Sequence, residues 1–135
     1  MSLIPLDLEA VTLFSADLLA SRTFYEAALG APVVYEDDDC FVMDLDGTLV
    51  NVLDIAKARE LIQPAVPALP SAGVGVALSL RVRSTDAACD RLRAAGVSLL
   101  NGPIDRPWGR RTAAFADPSG HVWEVAEVLG DGDRA

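Results

Sequence analysis

Residues 74–96 read VGVALSLRVRSTDAACDRLRAAG, and their pattern changes period part-way along. From Val74 to Val82 side chains alternate. Val74, Val76, Leu78, Leu80 and Val82 fall on one face, and Gly75, Ala77, Ser79 and Arg81 on the other. A strand sends successive side chains to opposite faces, so this is a strand with one apolar face and one small, polar face. The apolar face is expected to lie under a helix and the polar one to line a wet concavity. The helix follows at once. Ser84 or Thr85 can cap it, Ala88, Leu92 and Ala95 form its apolar stripe, and Gly96 ends it.

The same order occurs earlier in the chain. A strand-like segment, Glu9–Ser15, precedes a helix read from Asp17 to Leu29, with Asp17 as N-cap and Leu18, Phe24, Tyr25, Ala28 and Leu29 at helical spacing. Gly30 and Pro32 stop it. Each helix is followed by β-rich sequence with a tight turn before its last strand. Asp46-Gly47 divides Phe41–Leu45 from Thr48–Asp54, and Asp117-Pro118-Ser119-Gly120 divides Arg111–Ala116 from Val122–Val128. Strand, helix and three strands thus occur twice, and a duplication is the economical reading. The fold class expected is α+β, two βαβββ modules forming a curved, mixed and largely antiparallel sheet around a concave pocket. Within one domain spanning 1–135, the modules cover about residues 8–56 and 74–129. The connector, about 57–73, holds Pro64, Pro67 and Pro70 and starts with a short helix over Lys57–Ile62. Leu99–Arg106 shows no readable pattern.

Composition narrows the function. In 135 residues the formal net charge is −9, with 20 acidic and 11 basic side chains. Such a field repels phosphate backbones and anionic lipid, so neither nucleic acid nor membrane is an expected partner. It would attract a cationic small molecule. Cys40 and Cys89 stand far apart in apolar stretches and read as free thiols. With no leader-like pattern and no long apolar run, a cytoplasmic location is expected.

Alternation along the last strand sets Glu124 and Ala126 opposite Trp123 and Val125. A carboxylate in such apolar company is costly to bury unless paired or solvated. Glu124 is therefore either a ligand-contacting or catalytic carboxylate, or half of an ion pair with Arg81. Trp108 lies between Pro107 and Gly109 in a turn that does not require burial. It reads as a stacking platform or as a lid over the sheet's own cavity. His121, the sole histidine, reads as an exposed turn residue without an identifiable partner, and Glu36–Asp39 as a solvated hairpin tip.

The run Asp17-Leu18, Ser21, Phe24-Tyr25, Leu29-Gly30 resembles the opening of vicinal oxygen chelate proteins, a superfamily that includes glyoxalases, extradiol dioxygenases and bleomycin-resistance proteins. Pro107-Trp108-Gly109-Arg110-Arg111, Asp117-Pro118-Ser119-Gly120-His121 and Glu124 resemble the end of its second module. In metal-dependent members the resemblance implies four ligands, from the first and last strands of each module. Here those positions hold Ala10, Asn51, Ala77 and Glu124. One carboxylate and one amide cannot hold a transition metal, which takes three or four His, Cys or carboxylate ligands. No metal and no cofactor are expected.

The resemblance then points to the bleomycin-resistance branch. The expected function is binding of an aromatic or cationic small molecule, as in antibiotic sequestration, by Phe14, Asn51, Ser79, Arg81, Trp108 and Glu124. The alternatives are a metal-independent lyase or isomerase using Glu124 as general acid or base and, less in keeping with these ligand positions, a metal-dependent glyoxalase- or dioxygenase-type enzyme. Relatives commonly pair two-fold, so a homodimer is expected.

Overall fold

A computed structural model describes residues 4–130. The chain divides into two compact units, one up to Leu69 and the other from Pro70 on. In the first unit the order is β1 (Ala10–Ser15), α1 (Leu18–Ala28), β2 (Val33–Glu36), β3 (Cys40–Leu45), β4 (Thr48–Asp54) and α2 (Ile55–Ile62). Its sheet runs β1-β4-β3-β2, with β1 parallel to β4 and the other pairs antiparallel. The second unit opens with one 3-10 turn, Pro70–Ala72. It continues through β5 (Ala77–Arg81), α3 (Thr85–Ala94), β6 (Leu99–Arg106), β7 (Arg110–Ala116) and β8 (Val122–Val128). Its sheet runs β5-β8-β7-β6, with β5 parallel to β8, so both units have one topology. Among the described residues no helix is long and apolar enough to cross a membrane.

In each unit one face of the sheet is covered by a helix. The Asp17 carboxylate accepts from the Ala20 N–H and starts α1, whose Tyr25 ring lies 6.3 Å from that of Phe41. Leu13, Phe41, Met43, Val50 and Val52 are buried with Tyr25 on this face. Ser21 also points into the core, which the apolar spacing did not indicate. Its hydroxyl meets that of Ser15 at 2.7 Å, so the two polar groups satisfy each other. At the Asp46-Gly47 turn both residues have positive φ, 56° and 102°, matching the twist of β3 and β4.

In the second unit the buried face is built on Phe115 and Trp123, whose rings stack 6.5 Å apart and 9° from parallel. Cys89 and Leu92 of α3 are buried with them. Ser84 caps α3, and Thr85 fastens it to the sheet. The Thr85 N–H donates to Glu127 at 2.9 Å and its hydroxyl to the Arg111 carbonyl at 2.6 Å. Arg111 in turn pairs with Asp105 of β6 and Asp86 of α3, and this hydrogen bonding holds the Asp105 carboxyl below the usual carboxylate range.

Three elements differ from the sequence reading. Strand β5 begins at Ala77, leaving Val74 and Val76 exposed instead of under the helix. Its one neighbour, β8, begins at Val122 opposite Ala77, and the residues before it are folded into the Asp117 turn, so nothing extends the ladder. The short helix α2 starts two residues early, at Ile55, because the Asp54 carboxylate accepts from the Ala56 N–H. Leu99–Arg106 is a strand whose alternation is hidden by register shifts after Leu99 and after Asn101.

Gly102 sits in the second shift at φ 94°, and a Cβ there would lie 2.5 Å from the Thr112 carbonyl oxygen and 2.6 Å from the Ala113 Cα. Gly102→Ala is expected to destabilise the protein by about 2–4 kcal/mol, combining positive φ with overpacking against β7. Urea denaturation checks this.

Candidate functional site

The solvent-facing side of the second sheet is set by register. Parallel pairing puts Ser79 of β5 beside Glu124 of β8, and Arg81 beside Ala126. Antiparallel pairing puts Ala114 and Thr112 of β7 on the other side of Glu124 and Ala126. All point away from buried Phe115 and Trp123. At the sheet's end β6 and β7 are joined by a tight turn that projects Trp108. The Gly109 N–H donates to the Arg106 carbonyl at 3.1 Å, and the Leu129 N–H to the Gly109 carbonyl at 3.0 Å.

These elements border an open cavity of about 330 Å³ lined by Ser79, Arg81, Trp108, Arg110, Glu124 and Ala126. The Ser79 hydroxyl donates to Glu124 Oε1 at 2.9 Å. Among the described residues Arg81 makes no ion pair, so Ser79, and not Arg81, is the partner of Glu124. The alternative of an Arg81–Glu124 ion pair is thus not formed. The register explains it, since Arg81 lies one strand repeat beyond Glu124 and beside Ala126. Trp108 is 54% exposed. The Arg106 guanidinium stands 6.0 Å from the centre of its ring, held by the buried Thr112 hydroxyl at 2.9 Å and by Asn101 at 3.5 Å.

Of the six residues expected to contact ligand, Ser79, Arg81, Trp108 and Glu124 line this one cavity. Phe14 and Asn51 belong to the first unit. There β1 and β4 place them on a common face, Asn51 beside Thr12 and Phe14 beside Leu53. Asn51 Oδ1 is buried and accepts no hydrogen bond from the described residues. Arg110 was overlooked as a lining residue although it stands two positions after Trp108, and Ala126 although it follows Glu124 on the same strand face.

His121 differs from its expected exposure. It is partly buried, and its Nδ1 lies 2.8 Å from Asp117 Oδ2. The buried Asp117 carboxylate also accepts from the Ser119 and His121 N–H groups at 3.0 and 2.8 Å. This cluster closes the turn before β8 and does not line the cavity.

A profile of the glyoxalase/bleomycin resistance protein/dioxygenase superfamily matches residues 8–125. The chain belongs to that superfamily. A search of curated proteins finds no significant match. Among solved structures, a glyoxalase/bleomycin resistance protein/dioxygenase from Nocardioides is similar, with 28% identity, a TM-score of 0.85 and coverage of 99% of this chain and 91% of that one. A glyoxalase-related enzyme from Fulvimarina pelagi shares 26% identity, with a TM-score of 0.77 and coverage of 95% of each chain. The antibiotic binding protein TnmS3 from a Streptomyces species shares the fold at 23% identity, with a TM-score of 0.71 and coverage of 95% and 99%.

Metal-dependent members of this superfamily would be expected to draw ligands from Ala10 and Asn51 in the first unit and from Ala77 and Glu124 in the second. Two methyl groups donate nothing, the Asn51 amide is neutral, and Glu124 Oε1 is engaged by Ser79. Among the described residues no three His, Cys, Asp or Glu side chains come together as a metal site. This donor set does not fit a transition metal.

Thr112 tethers the guanidinium that lies over Trp108, which makes it the support of the cavity's aromatic wall. Thr112→Val keeps the shape and removes the acceptor. We expect it to cost about 1 kcal/mol of stability and to shift the Trp108 indole N–H resonance in a ¹H–¹⁵N spectrum.

Proposed function

We propose that this superfamily member is a small-molecule binding protein that takes a planar, aromatic compound into the cavity of its second unit without a metal. The observation that carries the reading is the exposed indole of Trp108 at the edge of a cavity that also holds Ser79, Arg81 and Glu124. An exposed tryptophan beside a few convergent polar groups is the usual make-up of a site that grips a ring and orients it. A volume of about 330 Å³ suits one or two fused rings, or the planar part of a larger compound. The fold shared with an antibiotic binding protein supports sequestration of such a compound as the biological role.

A second reading is favoured by the Ser79–Glu124 hydrogen bond, which fixes a carboxylate inside the cavity. In it Glu124 moves a proton at a bound substrate, as in a metal-independent lyase or isomerase. A structural neighbour from Agrobacterium tumefaciens, a lactoylglutathione lyase at 19% identity, shows that the fold can carry an enzyme.

Calorimetric titration against a panel of aromatic compounds tests the first reading. Saturable binding is expected, weakened in Trp108→Ala by roughly 1–3 kcal/mol, the worth of a lost stacking contact. Equal affinity in wild type and Trp108→Ala would remove the aromatic platform from the account. Under the second reading Glu124→Gln should keep binding and lose turnover by roughly 10²–10⁴-fold, and turnover unchanged in that variant would end it.

A further inference from the structure

Arg81 and Glu124 line the cavity with opposite charges and do not meet. Register keeps them apart. Glu124 stands beside Ser79, and Arg81 lies two residues further along β5, about 6.6 Å of strand. Both keep hydrogen-bonding capacity to spare. A carboxylate can accept several hydrogen bonds, and among the described residues Glu124 accepts from the Ser79 hydroxyl alone. A guanidinium is a fork of N–H donors, and among the described residues none of those of Arg81 is taken up. Arg110, the other guanidinium lining the space, is already engaged and donates to the Gly109 carbonyl at 3.3 Å. One face of the sheet thus presents a strong donor and a strong acceptor, with the Trp108 indole at the edge of the same cavity.

We infer that the ligand is a planar heterocycle with a lactam-type edge, an N–H donor next to a carbonyl acceptor on one ring system. The inference rests on the cavity reading above and names the class of compound that the cavity takes. The ring stacks on Trp108, its N–H donates to the Glu124 oxygen that Ser79 leaves free, and its carbonyl accepts from Arg81. Neither charged alternative serves both groups. A carboxylate would pair with Arg81 and meet Glu124 as a like charge, and an ammonium would pair with Glu124 and meet Arg81. A neutral edge with both functions satisfies each without repulsion, and hydrogen bonds to ionised partners are the stronger kind. In a lactam the N–H and the C=O leave adjacent ring atoms on the same side. One edge can therefore bridge a donor and an acceptor that stand too far apart to bind each other.

Three neutral bicyclic probes test this by calorimetry: 2-quinolone, which has both functions, 1-methyl-2-quinolone, which keeps only the acceptor, and indole, which keeps only the donor. Each is titrated into the full-length wild type, Arg81→Met, Glu124→Met and Trp108→Ala. We expect 2-quinolone to bind wild type roughly tenfold more tightly than either of the others. In Arg81→Met its advantage over indole should vanish, with indole itself unchanged. In Glu124→Met its advantage over 1-methyl-2-quinolone should vanish, with the methyl compound unchanged. Methionine keeps the bulk of glutamate, so a merely steric effect of the methyl group would persist there. In Trp108→Ala all three should weaken together. An advantage over indole that survives Arg81→Met, or over the methyl compound that survives Glu124→Met, overturns the inference. Equal binding of all three that is lost in Trp108→Ala overturns it too, but leaves the cavity reading standing. No binding by any probe overturns both.

Discussion

The hydrogen bond from the Ser79 hydroxyl to Glu124 exists because β5 and β8 run parallel in a register that sets those two residues side by side. A shift of one residue would turn every side chain of β5 to the other face, burying Arg81 and sending Leu80 to solvent. The apolar face prevents this. Leu78 beside Trp123, and Leu80 beside Val125, are half-buried on the sheet's core face, and turning them to solvent would forfeit part of the roughly 1.5–3 kcal/mol that full burial of such a side chain is worth. The site therefore owes its geometry to the packing on the opposite side of the sheet.

The same layer explains why the cavity tolerates arginines in so acidic a chain. Thr85 ties α3 to β7 and β8 through a side-chain and a backbone hydrogen bond, and Arg111 bridges β6, β7 and α3 through two carboxylates. With the sheet fixed from behind, its open face is free of structural duties. Ala77, Ala114 and Ala126 keep that face low, so the long side chains of Arg81, Arg110 and Trp108 can rise around a space instead of filling it. Thr112, buried beneath Arg106, is the point where fold and site meet.

Much of this was legible in the sequence. The alternation at Ala77–Arg81 and Val122–Val128 placed Ser79, Arg81 and Glu124 on one face, and turn chemistry at Asp46-Gly47 and at Asp117–Gly120 located both last strands. What escaped had physical causes. Strand β6 carries Gly102 and two register shifts, which erase the period that reveals a strand. Val74 and Val76 continue the alternation but have no ladder partner, since pairing depends on where β8 begins. Ser79 was not seen as the partner of Glu124, and Arg81 was offered as one alternative, because charge suggests ion pairs whereas register decides neighbours. His121 was read as exposed because its pairing with Asp117 depends on how the turn folds back.

The most direct test is a ¹H–¹⁵N titration of the protein with a planar aromatic compound that binds it, run once in plain buffer and once in excess chelator. We expect the largest shifts at the Trp108 indole and at the backbone of Ser79, Arg81 and Glu124, identical in both buffers. Binding that disappears with chelator and returns on adding zinc, nickel or manganese would contradict a metal-free site on the second sheet.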